Sequence, residues 1–150
     1  MIIKNKNGEV IFDGDRALLG VDDPDLREAV LEGVVMQGAR FDGANLERAN
    51  LRGADFYWGG FSTTNLTGAD LEGIQLQGAD LKEANLTNAN LRNANLGRDN
   101  LGGSTQLQGA ILTGTNLKFA NLEGAEYDSK TIFPKGFSPQ AVKMILREKS

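Results

Sequence analysis

From Leu31 onward an apolar or aromatic residue returns at every fifth position, through Met36, Phe41, Leu46 and so on to Leu101. After one extra residue the beat resumes, from Leu107 to Tyr127. All twenty of these centres are apolar or aromatic, fifteen of them Leu, and the residue two before the centre is Ala at thirteen of the twenty positions. A helix brings a residue back to the same face every 3.6 positions and a strand every two, so neither template fits. Each five-residue unit is instead a short straight side with two inward residues, followed by a corner. Gly occupies the second position after the centre eleven times, which is where a corner built like a type II turn needs positive φ. Four sides close a square coil of about twenty residues, and coils stack at the strand spacing of about 4.8 Å. No unit can bury its apolar pair alone, so stacking supplies the core.

The A-[DN]-L-x-x pattern of stretches such as GANLERANLRGAD, Gly43 to Asp55, resembles the pentapeptide-repeat family. That resemblance covers residues 34–128 and implies an all-β fold, a right-handed quadrilateral parallel β-helix of about five coils. It also implies one possible activity. The quinolone-resistance and mycobacterial fluoroquinolone-resistance members inhibit or protect DNA gyrase by resembling duplex DNA, whereas most members have no established role.

The flanks leave the repeat. Asn7-Gly8 between two apolar-rich arms predicts a type I′ hairpin. Asp23 as N-cap, Pro24 at the first helical position and Leu26, Ala29 and Val30 on one face predict a short capping helix ending at Gly33. Near the other end, Ser138-Pro139 predicts a helix with Val142, Ile145 and Leu146 on one face, a cap or a dimer contact. The expected organisation is therefore residues 1–33 as hairpin and capping helix, 34–128 as β-helix, and 129–150 as a helical cap. Monomers, or a weak homodimer through the C-terminal helix, are expected.

A twenty-residue coil converts sequence into neighbours. Each Asp in the repeat has uncharged column partners, as Asp70 has in Asn50 and Asn90, which avoids stacking like charges about 5 Å apart. Two stretches break the rule. In DFYWGGFSTTNL, Gly59 and Thr64 replace the small Ala and the outward residues become Tyr57 and Trp58; in NLGRDNLGGSTQL, Asp99 stands at an Ala position. A one-residue bulge between Leu101 and Leu107, shifting neighbours to n plus 21, is expected there, with Asp99 turned away from the core because an unpaired buried carboxylate is costly. On that register Trp58, Gly78, Arg98 and Phe119 share a corner, with Tyr57 and Lys118 beside them and a notch at Gly78. Tyr57, Trp58, Arg98, Lys118 and Phe119 are thus the candidate partner-binding residues, since aromatic and Arg side chains anchor protein interfaces.

Composition narrows the chemistry. With neither Cys nor His, the chain offers no thiol nucleophile, no zinc site of the usual ligands and no His-based triad. No nucleophile elbow or phosphate loop appears, and Asp13-Gly14-Asp15 lacks the remaining ligands of a calcium loop. An enzyme is not expected, nor a cofactor or metal. The repeat region carries 11 acids against 7 bases, whereas residues 1–33 sum to −4 and residues 130–150 to +4. About 14 uninterrupted negative charges would be needed to imitate duplex DNA over a rod of about 24 Å. A non-enzymatic interaction or scaffold module with an unidentified protein partner is therefore expected, with a DNA-mimicking gyrase effector as the alternative. Direct nucleic-acid binding and membrane binding are not expected. The amino terminus, MIIKNKNGEVIF, has no signal-peptide apolar core, so a cytoplasmic location is expected.

Overall fold

Backbone hydrogen bonds run between residues nineteen to twenty-one positions apart along most of the chain, as in Leu46 N to Asn65 O (2.8 Å) and Asn65 N to Ala44 O (3.0 Å). The computed structural model describes residues 1–15 and 23–149. Parallel bridges join Asp25 to Asn45, Asn45 to Asn65, Asn65 to Asn85, Asn85 to Ile111 and Ile111 to Ile132, which traces five successive stackings along one side. Equivalent bridges start at Val30, Val35 and Arg40. The four sides of the expected square coil are therefore present, and the described residues are all-β with no helix.

The interior holds the centres and the small residues. Leu46, Leu51, Leu71, Leu91 and Ala44, Ala54, Ala89 are buried. Phe41 stacks on Phe61 with ring centroids 5.5 Å apart and planes 9° apart, as the twenty-residue register requires, and Phe56 meets both edge-on at 5.5 and 5.2 Å. Three rings need more room than three Leu side chains, and Gly59 supplies it. A Cβ there would lie 2.9 Å from both the Phe56 carbonyl and the Phe61 ring. Thr64, Thr105 and Thr115 occupy Ala positions and remain buried because each hydroxyl donates to a carbonyl of the coil before, Phe41, Leu76 and Leu86 respectively. Outside, Asn side chains fold back as Asx turns and bridge coils, as in Asn65 Nδ2 to Asn45 Oδ1 (3.2 Å) and Asn90 Nδ2 to Asp70 Oδ1 (3.1 Å).

Both helical caps are absent, for identifiable reasons. Residues 25–33 already belong to the coil. Leu26 and Leu31 are buried centres, Ala29 is the small inward residue, and Glu28 and Gly33 turn the corners at φ 58° and 66°. Leu31 thus keeps its place on the five-beat, and the coil extends back to Asp25. What covers this end is a ribbon. β1 (Ile2–Lys4) pairs antiparallel with β2 (Val10–Asp13), and the hairpin adds to the coil edge through Val30 N to Lys4 O (2.8 Å) and Lys6 N to Glu28 O (3.1 Å). Its turn is not type I′, since only Gly8 and not Asn7 has positive φ. A three-residue loop is closed by Gly8 N to Asn5 O and Asn5 N to Glu9 O, the type I turn with a left-handed third residue.

At the other end Ser138 Oγ does accept Ala141 N (3.3 Å), as an N-cap would. The turn then closes at once. Lys143 adopts φ 60°, with Met144 N to Pro139 O and Lys143 N to Gln140 O, the paired bonds that end a helix in a Schellman motif. A single turn gains too few hydrogen bonds to persist as a helix. The chain continues as β4 (Ile145–Leu146), parallel to β3 (Glu126–Tyr127). Val142 packs against its own core, Ile145 is half-buried in β4, and Leu146 is exposed, so the three share no helix face and the expected helix-mediated dimer contact loses its basis.

Candidate partner-binding site

The slip is larger than one residue. Leu76 N still bonds Asn95 O, but Leu81 N bonds Gln106 O, and the bridges step from Asp80 to Gln106 and from Asn95 to Asn121. From Asp80 to Asn95 the next coil therefore lies 26 residues on, not 21. Leu101 is no centre; it is 82% exposed. The added residues form an outward loop after Leu96, and the ladder closes beneath it because Thr105 Oγ1 accepts the Gly78 N–H (3.2 Å) that the displaced strand leaves open.

That loop folds back onto the aromatic pair. Asp99 accepts the indole Nε1–H of Trp58 (2.6 Å) on Oδ2, and the amides of Leu101 (2.8 Å) and Gly103 (2.6 Å) on Oδ1. These donors, the Trp58 indole foremost, hold the Asp99 carboxyl below its usual range. Asp99 faces outward onto donors, as its expected avoidance of the core requires. Asn100 clamps Tyr57 twice, donating its N–H to the phenol oxygen and accepting the phenol proton on Oδ1, both at 2.7 Å. Tyr57 and Trp58 meet edge-on with centroids 4.6 Å apart.

Gly78 explains the pose of the indole. Trp58 turns its corner at φ 58°, an uncommon conformation for a bulky residue, and its ring lies along the corner over Gly78. A Cβ on Gly78 would sit 2.6 Å from Trp58 Cδ1, so the expected notch is filled by the indole itself. A depression of about 580 Å³ remains beside it, lined by Gln37, Tyr57, Trp58, Gln77, Arg98, Asp99 and Asn100.

The five candidate residues are split. Tyr57, Trp58 and Arg98 converge on this depression. Arg98 lies over Gly124, its 26-residue neighbour, not over Phe119. Phe119 instead falls beneath Asn93, because Asn93 N bonds Lys118 O. There Phe119 meets two cations, with the Arg92 guanidinium 5.4 Å and the Lys118 ammonium 5.1 Å from its ring centre. Lys118 and Phe119 thus mark a neighbouring corner. Sequence reasoning placed Gln77 beside this corner but missed Asn100 and Gln37 as lining residues. Only the loop's return, invisible in a five-residue pattern, brings Asn100 to Tyr57.

The pentapeptide-repeat family model matches residues 25–58, 61–98 and 104–126 in eight copies. The chain belongs to that family, whose fold is the right-handed quadrilateral β-helix. The breaks in the match fall at the Gly59-Gly60 pair and at the inserted loop. Among solved structures, the chain is similar to the pentapeptide repeat protein alr5209 of Nostoc PCC 7120, at 34% identity over 75% of this chain and 84% of that one, TM-score 0.44. It is also similar to AT2G44920, a pentapeptide repeat protein of the Arabidopsis thaliana thylakoid lumen, at 30% identity over 79% and 73% of the two chains, TM-score 0.52. QnrB1, a plasmid-mediated fluoroquinolone resistance protein, matches at 19% identity over 83% and 78%, TM-score 0.42. No curated protein sequence matches the chain.

Proposed function

We propose that this pentapeptide-repeat protein is a non-enzymatic protein-interaction module whose contact face is the corner of Tyr57, Trp58 and Arg98. One observation carries the reading. The Trp58 indole is 48% exposed yet held in a single pose by Asp99 and the bare surface of Gly78. An exposed large aromatic is a solubility cost, and fixing it before contact lowers the ordering penalty of binding. In this reading the module works in the cytoplasm and engages a protein directly, without membrane or nucleic-acid contact. Affinity capture from the native extract, run in parallel with wild type and a Trp58→Ala/Arg98→Ala variant, tests it. A partner identified with wild type should be lost from the variant, and an unchanged set of bound proteins would sink the reading.

Charge separates this reading from the gyrase mimic. Arg52 ties up Asp70 (3.1 Å) and Glu72 (2.8 Å), and Arg40 and Arg48 lie against Asp42 and Glu28. A DNA-binding saddle needs a continuous negative face, and here cations interrupt it. In a gyrase supercoiling assay the protein should not inhibit. Salt-resistant inhibition at near-stoichiometric protein would overturn the interaction-module reading in favour of the mimic.

A further inference from the structure

The arginines of the N-terminal coils, Arg27, Arg40, Arg48 and Arg52, all sit in ion pairs. Among the described residues Arg92, Arg98 and Lys118 make none, as is also true of Lys4, Lys82, Lys130, Lys135 and Lys149. The first three are not dispersed. Arg92 and Lys118 flank Phe119, which is 68% exposed, at one corner, and Arg98 lies over Gly124 at the next corner of the same coil. A single five-residue side separates those corners, at most about 17 Å of extended chain. Its surface carries no side-chain charge at its centre. Asn121 donates to Asn95 Oδ1 (3.2 Å) and covers the buried Gly97, while Glu123, at the Arg98 end of this side, is paired with Lys143.

From this we infer that the side between the Phe119 and Arg98 corners binds an extended acidic peptide segment, with carboxylates at both ends and an apolar residue between. The inference rests on the interaction-module reading and adds the partner's chemistry. Cations at both corners set the sign of the partner, and Phe119 and Trp58 supply apolar surface beside them, so a purely charged segment would leave both rings wet. About five extended residues span the side, which fixes the spacing between acidic ends. A polynucleotide fits less well. Its charge repeats without interruption, whereas the cations here stand at two separate corners with the uncharged Asn95–Asn121 pair between them. Opposed charge of this local kind speeds and orients encounter with a matching segment.

The test uses the full chain and three probes: a fluorescein-labelled peptide Glu-Glu-Leu-Phe-Glu-Glu, its Gln-for-Glu counterpart, and a labelled thymidine decamer. Anisotropy titrations should show the acidic peptide binding about tenfold more tightly than the Gln peptide, and more tightly than the decamer. In a two-dimensional amide spectrum it should move the Trp58 indole and the Asn95 and Asn121 side-chain amide signals. Arg92→Glu/Lys118→Glu, whose side chains are exposed and free of the core, should abolish the difference between the two peptides. Arg98→Glu should do so from the other corner. Equal binding of both peptides, preference for the decamer, or insensitivity to the Arg92/Lys118 reversal would overturn the acidic-partner chemistry. Loss of a native partner on Trp58→Ala/Arg98→Ala, alongside failure of the acidic peptide, would leave the contact face standing while removing this inference.

Discussion

The coils between Leu46 and Leu96 and the coil that follows them solve the same stacking problem with different means. In the first, every centre N–H from Leu46 to Leu76 meets a carbonyl nineteen positions on, and twenty residues suffice. In the second, the chain leaves the stack after Leu96, spends extra residues outside, and returns at Thr105 with its side chain standing in for a missing strand group. The difference teaches that the ladder is indifferent to coil length, provided that the insertion lies at a corner and that the open N–H finds an acceptor. It also places the candidate site. The regular coils present repeated short polar side chains, and only the interruption builds a fixed aromatic surface.

The largest expected effect separates two Leu residues ten positions apart. Leu91, fully buried in a regular coil, should cost about 2–5 kcal/mol on replacement by Ala, from lost burial plus the cavity. Leu101→Ala should stay within about 0.5 kcal/mol, as surface changes do. Urea melts of the two variants check this, and equal losses would mean that Leu101 packs inside after all. Next in size are changes that leave the pattern apolar but alter fit or satisfaction. Gly59→Ala should cost about 1–3 kcal/mol by overpacking against Phe56 and Phe61. Thr105→Val should cost about 1–3 kcal/mol by orphaning the Gly78 N–H. A neutral Thr105→Val would show that the ladder tolerates an open donor.

The same contrast explains what could be read beforehand. The regular coils were legible because their period is unlike helix or strand and repeats through chemically equivalent residues. Leu26, Ala29 and Val30 were misread because one helix face and two five-residue sides place apolar residues at nearly the same positions. Ser138-Pro139 does start a turn, but the left-handed Lys143 that ends it leaves no mark that distinguishes it from a helical Lys. Leu101 is on the beat and apolar, so periodicity alone admits it to the core. The contrary signal was chemical: Asp99 at an Ala position and Gly102-Gly103 just after Leu101. From the candidate site, Trp58 and Tyr57 announced themselves by size, whereas the pairing of Phe119 with Arg92 depends on the exact length of the insertion.

Acid should act on both ends of this comparison with the same sign. Asp128 is buried below the coil, where burial pushes its carboxyl up, but the amides of Gly109, Lys130 and Thr131 and the Thr131 hydroxyl outweigh that and hold it lower. A group whose folded pKa is depressed contributes stability that is fully present above its unfolded value and is lost as pH falls through the folded one. Stability should therefore decline below about pH 4, the ordinary range for Asp. In Asp128→Asn the decline should be shallower, measured by melting temperature against pH.

The smallest expected effect is local to the interrupted coil. Asp99 is likewise depressed, chiefly by the Trp58 indole, so the latch is intact above the ordinary carboxylate range and releases as pH falls through the lowered folded value. Because the loop lies outside the stack, its release should leave the regular coils folded. Trp58 is the one tryptophan of the chain, so its fluorescence reports the latch alone. Lowering the pH should shift its emission before far-ultraviolet circular dichroism changes, and Asp99→Ala should produce the released emission already at neutral pH with little change in melting temperature. Coincident transitions of the two signals in wild type would mean that loop and stack unfold together. The interrupted coil would then be as integral to the ladder as the regular ones.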